Sequence, residues 1–532
     1  MLAAIIALAL LLRLPGFTES VWYDELSSTR VVLESFTGLL RVVATDSHPP
    51  FYAAVMFIWV HLFGDSEISI RIPPLVCGLL TIVLTARLAA AYGGPSAGPI
   101  AAFIMAISPP HIWYSQEARQ YSLLLLLVTS CTWAFHKLRQ SPSTRWYVFY
   151  TVAAFCMVFT HYFAVAYLAA FTLLAFPDRR LRARMLWIAG AIAIVLALYL
   201  FVRWHFVSLP TKLAHLGEFG ITGPWKLMFE WFVIGGAFGE PAGRTMAAEL
   251  AIIIVQLTLL ALLIRGLLHA NVAQPSGAPR VTRWEEFSRR WELAFLLFVL
   301  PLALMAMGLA GATRYYVDRS ALSALPFFAI ALAVGIASLH SPRSRMLTTA
   351  VLACFGAVVL ANYYARSDRF TVYIPNPDWR AGAQWLSERS RQGGYPMIAV
   401  SFTSADELMY YDRGLGLIDM RAPSANVPAE DRRPGSLRQR LKVFMSPLPD
   451  PLRGKTHRLY HVPKPTVALI DEVLTREHSS EFFIVTNRYI VENDRMRDAV
   501  AADSTFRIEE VFEPKGLRLL RVRRIAGDAA GG

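Results

Sequence analysis

The chain has 532 residues, of which 55% are hydrophobic and only 17% are charged, with a formal net charge of +13. Soluble globular domains carry about 25% charged residues, so this composition excludes an ordinary soluble enzyme and describes a membrane protein with its charges gathered outside the apolar segments. In a soluble chain the positive excess would point to nucleic acid. Here much of it falls in short loops between apolar runs, where it sets orientation, and no nucleic-acid partner is expected.

The first apolar run, near 1–15, has no basic stretch ahead of it. Arg13-Leu14-Pro15-Gly16-Phe17 follows where a small-residue cleavage site would stand, so the run reads as a retained transmembrane helix. Further runs lie near 68–92, 96–114, 119–138, 146–161, 162–177, 184–204, 248–268, 291–311, 318–339 and 345–364, giving about eleven candidate spans. Each is near the ~20 residues needed to cross a bilayer. The run 49–63 is shorter, begins with Pro49-Pro50, and is expected to be interfacial or re-entrant. Cys77, Cys131, Cys156 and Cys354 fall inside apolar runs without CxxC spacing, and read as small core residues rather than disulfide or zinc partners.

Loop charge chooses an orientation. With the N-terminus cytoplasmic and 49–63 not crossing, four of the five cytoplasmic loops are basic: Lys137/Arg139/Arg145, Arg179/Arg180/Arg182/Arg184, Arg280/Arg283/Arg289/Arg290 and Arg343/Arg345. The Gly93-Gly94-Pro95 turn is neutral, with Arg87 close by. This is the positive-inside pattern. It places the loops 16–67, 115–118, around 161, 205–247 and 312–317, and everything beyond about 365, on the outer face.

From Arg366 onward charge rises and spanning runs cease. Met397–Ser401 and Phe482–Thr486 read as buried strands, Pro465–Thr475 as a helix, and Phe506–Arg524 as a hairpin around Pro514-Lys515-Gly516. Residues 423–464, rich in Pro and Arg, read as a long loop. The expected architecture is an all-α polytopic membrane domain over 1–365, with about eleven spans plus interfacial helices, followed by a small α/β extracytoplasmic domain over 366–532.

The residues able to do chemistry fall in the outer loops. Trp22-Tyr23-Asp24-Glu25 sets two acids beside aromatics just outside the first span, suited to a general base or a metal ligand. The bland alternative is an interfacial aromatic belt with solvated acids. Asp46-Ser47-His48-Pro49-Pro50 holds an imidazole on a stiff segment able to donate to a phosphate or a sugar hydroxyl, or simply capping an interfacial helix. Glu117 and Arg119, in the short turn between Tyr114 and Tyr121, are costly at a membrane edge unless paired or used. Arg314-Tyr315, in the stretch that runs on to Asp318-Arg319, offers a guanidinium for a lipid phosphate, against snorkelling as the alternative. His161-Tyr162 marks another outer helix end.

In this order these elements resemble the GT-C glycosyltransferases, and more narrowly the protein O-mannosyltransferase-like branch that includes the bacterial lipid A aminoarabinose transferases. The resemblance covers about residues 1–365, with Asp378-Trp379-Arg380 similar to an element of bacterial members. It implies a GT-C fold and Asp24 as the base. Glu25 and Glu117 would be further catalytic acids, and His48, Arg119, Tyr121, His161, Arg314 and Tyr315 would bind substrate. The second loop carries a single acid, Glu117, so a divalent metal, held by Asp24 and Glu117 if at all, is left open. The activity implied is inverting transfer of a sugar from a polyprenyl-phosphate donor to a lipid, protein or glycan acceptor, on the outer face of the inner (plasma) membrane. An O-antigen ligase or polymerase, or a lipid or sugar transporter, is the alternative. The transporter predicts inverted repeats and midplane polar groups, neither of which the sequence presents.

Overall fold

The computed structural model describes residues 1–21, 24–26, 36, 39, 48–206, 222–234, 246–270, 282–309, 318–365, 377–393, 397–399, 408, 411, 415–419, 457–461, 470, 474, 480–487, 498, 500–514 and 517–525. The chain divides into two compact units: Met1–Phe17 with Val32–Ile374, and Thr18–Val31 with Pro375–Gly532.

The first unit is helical. Its helices are α1 (Leu2–Arg13), α2 (Phe51–Phe63), α3 (Glu67–Gly93), α4 (Ala97–Ile107), α5 (Pro109–Tyr114), α6 (Tyr121–Gln140), α7 (Thr144–Val158), α8 (Val165–Ala175), α9 (Arg179–Phe206), α10 (Met246–His269), α11 (Arg283–Arg290), α12 (Glu292–Leu309), α13 (Leu325–Ala337) and α14 (Pro342–Ala365). Every one of the eleven apolar runs carries a helix. Among the described residues six helices (α3, α6, α9, α10, α12 and α14) are long and apolar enough to cross a membrane, and the other apolar helices are shorter. Helix α2 has 13 residues, which at about 1.5 Å per residue is too short to span. It is tied down by a proline. Pro73, inside α3, has no N–H for the Ser69 carbonyl, and the Trp59 indole N–H of α2 donates to that oxygen at 2.9 Å.

Two ends of this unit are defined by side chains. At one end Arg139 of α6 is paired with Glu292 of α12 at 3.1 Å, both buried. Arg139 also donates to the Leu174 carbonyl at the end of α8, 2.7 Å, and the Tyr92 hydroxyl of α3 donates to Glu292 at 2.5 Å. Arg289 of α11 is 3.9 Å from Asp178, beside the start of α9. Arg139 and Arg289 thus leave the solvated basic set, while Arg145, Arg179, Arg182, Arg184, Arg283 and Arg343 remain exposed at the same loops. The opposite end gathers the end of α1, the turn 115–120, the end of α7 and the end of α14. Towards the Arg139–Glu292 end, Gly266 of α10 and Gly335 of α13 face each other. A Cβ at either would run into the backbone carbonyl of Ala331 or of Leu262, so only glycine permits this approach.

The second unit holds α15 (Trp379–Gly393) and six strands, β1 (Met397–Ala399), β2 (Leu415–Asp419), β3 (His457–His461), β4 (Glu481–Asn487), β5 (Phe506–Phe512) and β6 (Leu517–Arg524), in the order β2-β3-β1-β4-β6-β5. β1 to β4 run parallel, and β6 is antiparallel to both β4 and β5. The expected β1, β4 and terminal hairpin are present. β3 lies inside the stretch 423–464 that reads as a loop, because a strand of five residues acquires its identity from pairing between β2 and β1 and not from its own composition. Trp379, Trp385 and Leu386 of α15 pack with Phe483, Val485, Leu517 and Leu519 as the core of this unit. The helix expected over 465–475 lies almost entirely outside the described residues.

Candidate active site

In the first unit, Pro109 and Pro110 stop α4 and restart the chain as α5, which delivers the polar turn 115–120 to the end of the bundle. The turn is held from several sides. Gln116 donates to the Arg13 carbonyl at 2.6 Å and accepts from the Tyr363 hydroxyl at 3.3 Å. The Ser115 hydroxyl bonds to the His111 carbonyl at 2.5 Å, and Ser122 to that of Tyr114 at 2.6 Å. Gly16 and Gly78 let Gln116 and Ser115 approach where a Cβ would collide. Arg13, fully buried, donates to the carbonyls of Ala9, Ala106 and Met105 at 2.8, 3.1 and 3.4 Å, and to His111 Nδ1 at 2.6 Å. It thereby satisfies carbonyls at the C-terminal end of α4, where the helix dipole favours a cation. Glu117 and Arg119 are each only 4% exposed, so the turn presents them from a fixed frame and not as solvated loop charges.

Around this turn lie the other groups. The Phe51 N–H, at the start of α2, bonds to the Phe159 carbonyl at 2.9 Å, which brings the His48-Pro49-Pro50 segment to the end of α7. The His48 and His161 rings are 5.6 Å apart, and Tyr121 is 6.3 Å from His161. The Arg319 guanidinium lies over Tyr121 at 5.6 Å, and Tyr114 packs edge-on to Tyr121 at 5.0 Å. His161 opens a short 3-10 turn and its Nδ1 accepts the Phe163 N–H at 3.3 Å. Burial first, then the neighbouring His48, Arg119 and Arg319, hold the His161 ring down to a pKa of about 3. The ring is therefore neutral, and with Nδ1 accepting it carries its proton on Nε2, as a donor. Arg203 donates to the Tyr162 hydroxyl at 3.2 Å and completes this side.

Of the residues singled out from sequence, His48, Arg119, Tyr121 and His161 come together here, with Glu117 two positions from Arg119 on the same turn. Arg319 joins them. Sequence reasoning chose Arg314 from the same stretch and passed over Arg319. The signal was present, a second Arg five residues on, but only the 3-10 turn Asp318–Ala324 brings it to Tyr121. Arg314 and Tyr315 lie outside the described residues. Asp24 and Glu25 belong to the second unit. Asp24 is half-buried and Glu25 is 1% exposed. Trp22 and Tyr23 are outside the described residues. Among the described residues no group of three or more His, Cys, Asp or Glu side chains is placed to hold a metal ion.

Next to the polar cluster an apolar cavity is lined by Ile104, Ser108, Phe232, Leu325, Phe328 and Val359. Trp231 links the two, with its ring 6.1 Å from Tyr114 and 5.6 Å from Phe232. Leu325, on the cavity wall, directly follows the 3-10 turn that bears Arg319.

Residues 47–204 match the family described as dolichyl-phosphate-mannose-protein mannosyltransferase. No curated protein matches the chain in sequence. Among solved structures, ArnT from Cupriavidus metallidurans in the apo state is similar, with a TM-score of 0.56 and 13% identity over 98% of this chain and 97% of that one. The same protein bound to undecaprenyl phosphate is similar with a TM-score of 0.52, again at 13% identity and with 98% and 97% covered. Residues 47–204 thus carry a pattern similar to the mannosyltransferase family, and the chain shares the fold of ArnT along nearly its whole length.

Proposed function

We propose that this protein transfers a sugar from a polyprenyl-phosphate donor to an acceptor on the outer face of the inner membrane, with inversion at the anomeric carbon. One observation carries the reading: His48, His161, Tyr121, Arg119 and Arg319 gather at one end of the helical unit, beside an apolar cavity. A polyprenyl phosphate has this shape and polarity, an anionic head on an isoprenoid tail. The undecaprenyl phosphate bound by ArnT, which shares the fold, supports the same ligand class.

Departure of the carrier leaves charge on its phosphate, and preplaced cations lower that barrier. Arg319 and Arg119 are the guanidiniums for this task, with neutral His161 donating through Nε2 and His48 beside it. Asp24, the more accessible acid of its pair, takes the proton of the acceptor's hydroxyl or amine as the acceptor attacks the anomeric carbon and the carrier phosphate leaves. One displacement inverts the centre. Glu117 positions the acceptor from its rigid turn, and buried Glu25 supports its neighbour. The C-terminal α/β unit is extracytoplasmic in this reading.

The test is transfer by purified protein from membrane lipids radiolabelled in the sugar. Asp24→Asn should lower turnover at least about 100-fold with fold intact, the scale of a general base. Full turnover would remove the assignment. Arg319→Ala should lower turnover by about 10²–10³-fold, with the loss concentrated on the carrier lipid. An unchanged dependence on carrier concentration and unchanged turnover would exclude Arg319.

A further inference from the structure

The acid pair does not stand on the helical unit that follows it in sequence. Thr18–Val31 packs as part of the unit formed by Pro375–Gly532. The attachment is specific. The Val21 N–H donates to the Tyr411 hydroxyl at 2.7 Å. The Ser20 hydroxyl donates to Asp378 Oδ1 at 3.3 Å, and the Arg380 N–H donates to the Ser20 oxygen at 3.3 Å. The Arg380 guanidinium donates to the Thr18 carbonyl at 3.1 Å. Asp378 is fixed in turn, as the N-cap of α15, by the Ala381 N–H at 3.1 Å. Trp379, between the two polar contacts, is fully buried in the core of the same unit. Val21 and Leu26, buried at 0% and 1% exposure, bracket Asp24 and Glu25.

We infer that the C-terminal α/β unit acts as the support of the catalytic acid, with Tyr411, Asp378 and Arg380 as positioning residues for Asp24. This rests on the reading of Asp24 as the base. The physical case is one of backbone accounting. A segment of about ten residues after a transmembrane helix would pay heavily in conformational entropy to hold one carboxylate still. Thr18, Ser20 and Val21 instead have polar groups taken by the N-terminus of α15 and by Tyr411. A base displaced by about 1 Å costs about 100-fold in rate, so a hydrogen bond three residues from Asp24 reaches the chemistry without touching substrate. Asp378-Trp379-Arg380 then has a division of labour. Asp378 caps the helix and meets Ser20, Trp379 anchors the helix in the core, and Arg380 holds Thr18.

Two measurements on the full-length protein decide this. The first is amide hydrogen exchange. Tyr411→Phe and Asp378→Asn should each speed exchange within 18–31 by tenfold or more, with the helices of the first unit unaffected. Unchanged exchange in that segment overturns the support. The second is a double-mutant cycle with sugar-radiolabelled membrane lipids as donor. Tyr411→Phe should lower turnover about tenfold with the half-saturating amount of donor lipid unchanged. In the Asp24→Asn background the same change should have no further effect, because Tyr411 acts only through Asp24. A merely structural role would instead multiply the two losses, and that result overturns the positioning role. Asp24→Asn with full turnover would overturn the base assignment and the catalytic part of this inference together, and the exchange measurement would still decide whether the support exists.

Discussion

At the residue scale the buried imidazole of His161 makes the most direct forecast. Its folded pKa, about 3, lies below the ordinary 6.5 because burial and the neighbouring His48, Arg119 and Arg319 oppose the charged ring. The unfolded chain protonates this ring as pH falls through 6.5 while the folded chain refuses the proton, so stability is lost on acidification from about pH 6.5 down towards 3. The expected slope from this one group is about 1.4 kcal/mol per pH unit. Melting of the detergent-solubilised protein between pH 7 and 4 checks it: His161→Asn should flatten the acid side relative to the parent. An equally steep acid loss in the variant would show that the ring is charged or solvated in the folded protein. Sequence reading found His161 because it ends an apolar run. It did not supply the ring's neutral state, which arises from neighbours that are far away in sequence.

The scale of elements concerns how helix ends are fastened together. Arg139 closes α6 onto α8 and α12 through Leu174 and Glu292 in a region without solvent. Truncating one partner of such a pair leaves a buried charge uncompensated, which costs about 3–5 kcal/mol, whereas replacing both costs far less. Glu292→Gln should therefore lower the yield and melting temperature of folded protein severely, and Arg139→Met with Glu292→Leu should recover much of both. A single Glu292→Gln variant as stable as the parent would mean that the pair carries no net stabilisation. The basic residues look alike in sequence, all flanking apolar runs. Nothing local separates Arg139 and Arg289, buried against Glu292 and Asp178, from Arg182 and Arg343, which stay exposed. The same limit applies to β3, whose five residues form a strand only because β1 and β2 lie on either side.

For the whole molecule the forecast is orientation. In the proposed topology the basic loops face the cytoplasm, and the turn 115–120 and the C-terminal unit face out. Single cysteines in a cysteine-free background, at Arg182 and Arg343 on one side and Asp503 on the other, should be labelled by an impermeant maleimide in intact cells only at position 503. Labelling at 182 or 343 without lysis would reverse the topology. The described ionisable clusters sit at the ends of the helical unit, Arg139–Glu292 at one and His48–His161–Arg319 at the other. That arrangement suits chemistry at a membrane surface better than passage through its midplane.

The eleven apolar runs, the short α2, the α/β character after 377 and the polar turns between apolar runs were all legible in the sequence. Each is written in local composition and spacing, since transfer into a bilayer acts on about 20 residues at a time and a strand on about five. Tertiary structure alone decided the partners. It put Arg319 over Tyr121, made His161 a neutral donor, and placed Asp24 and Glu25 in the unit built by the last third of the chain. The physical reason is that these properties belong to pairs of residues up to several hundred positions apart, such as Val21 and Tyr411. A single sequence records each side chain but not which distant one it will meet.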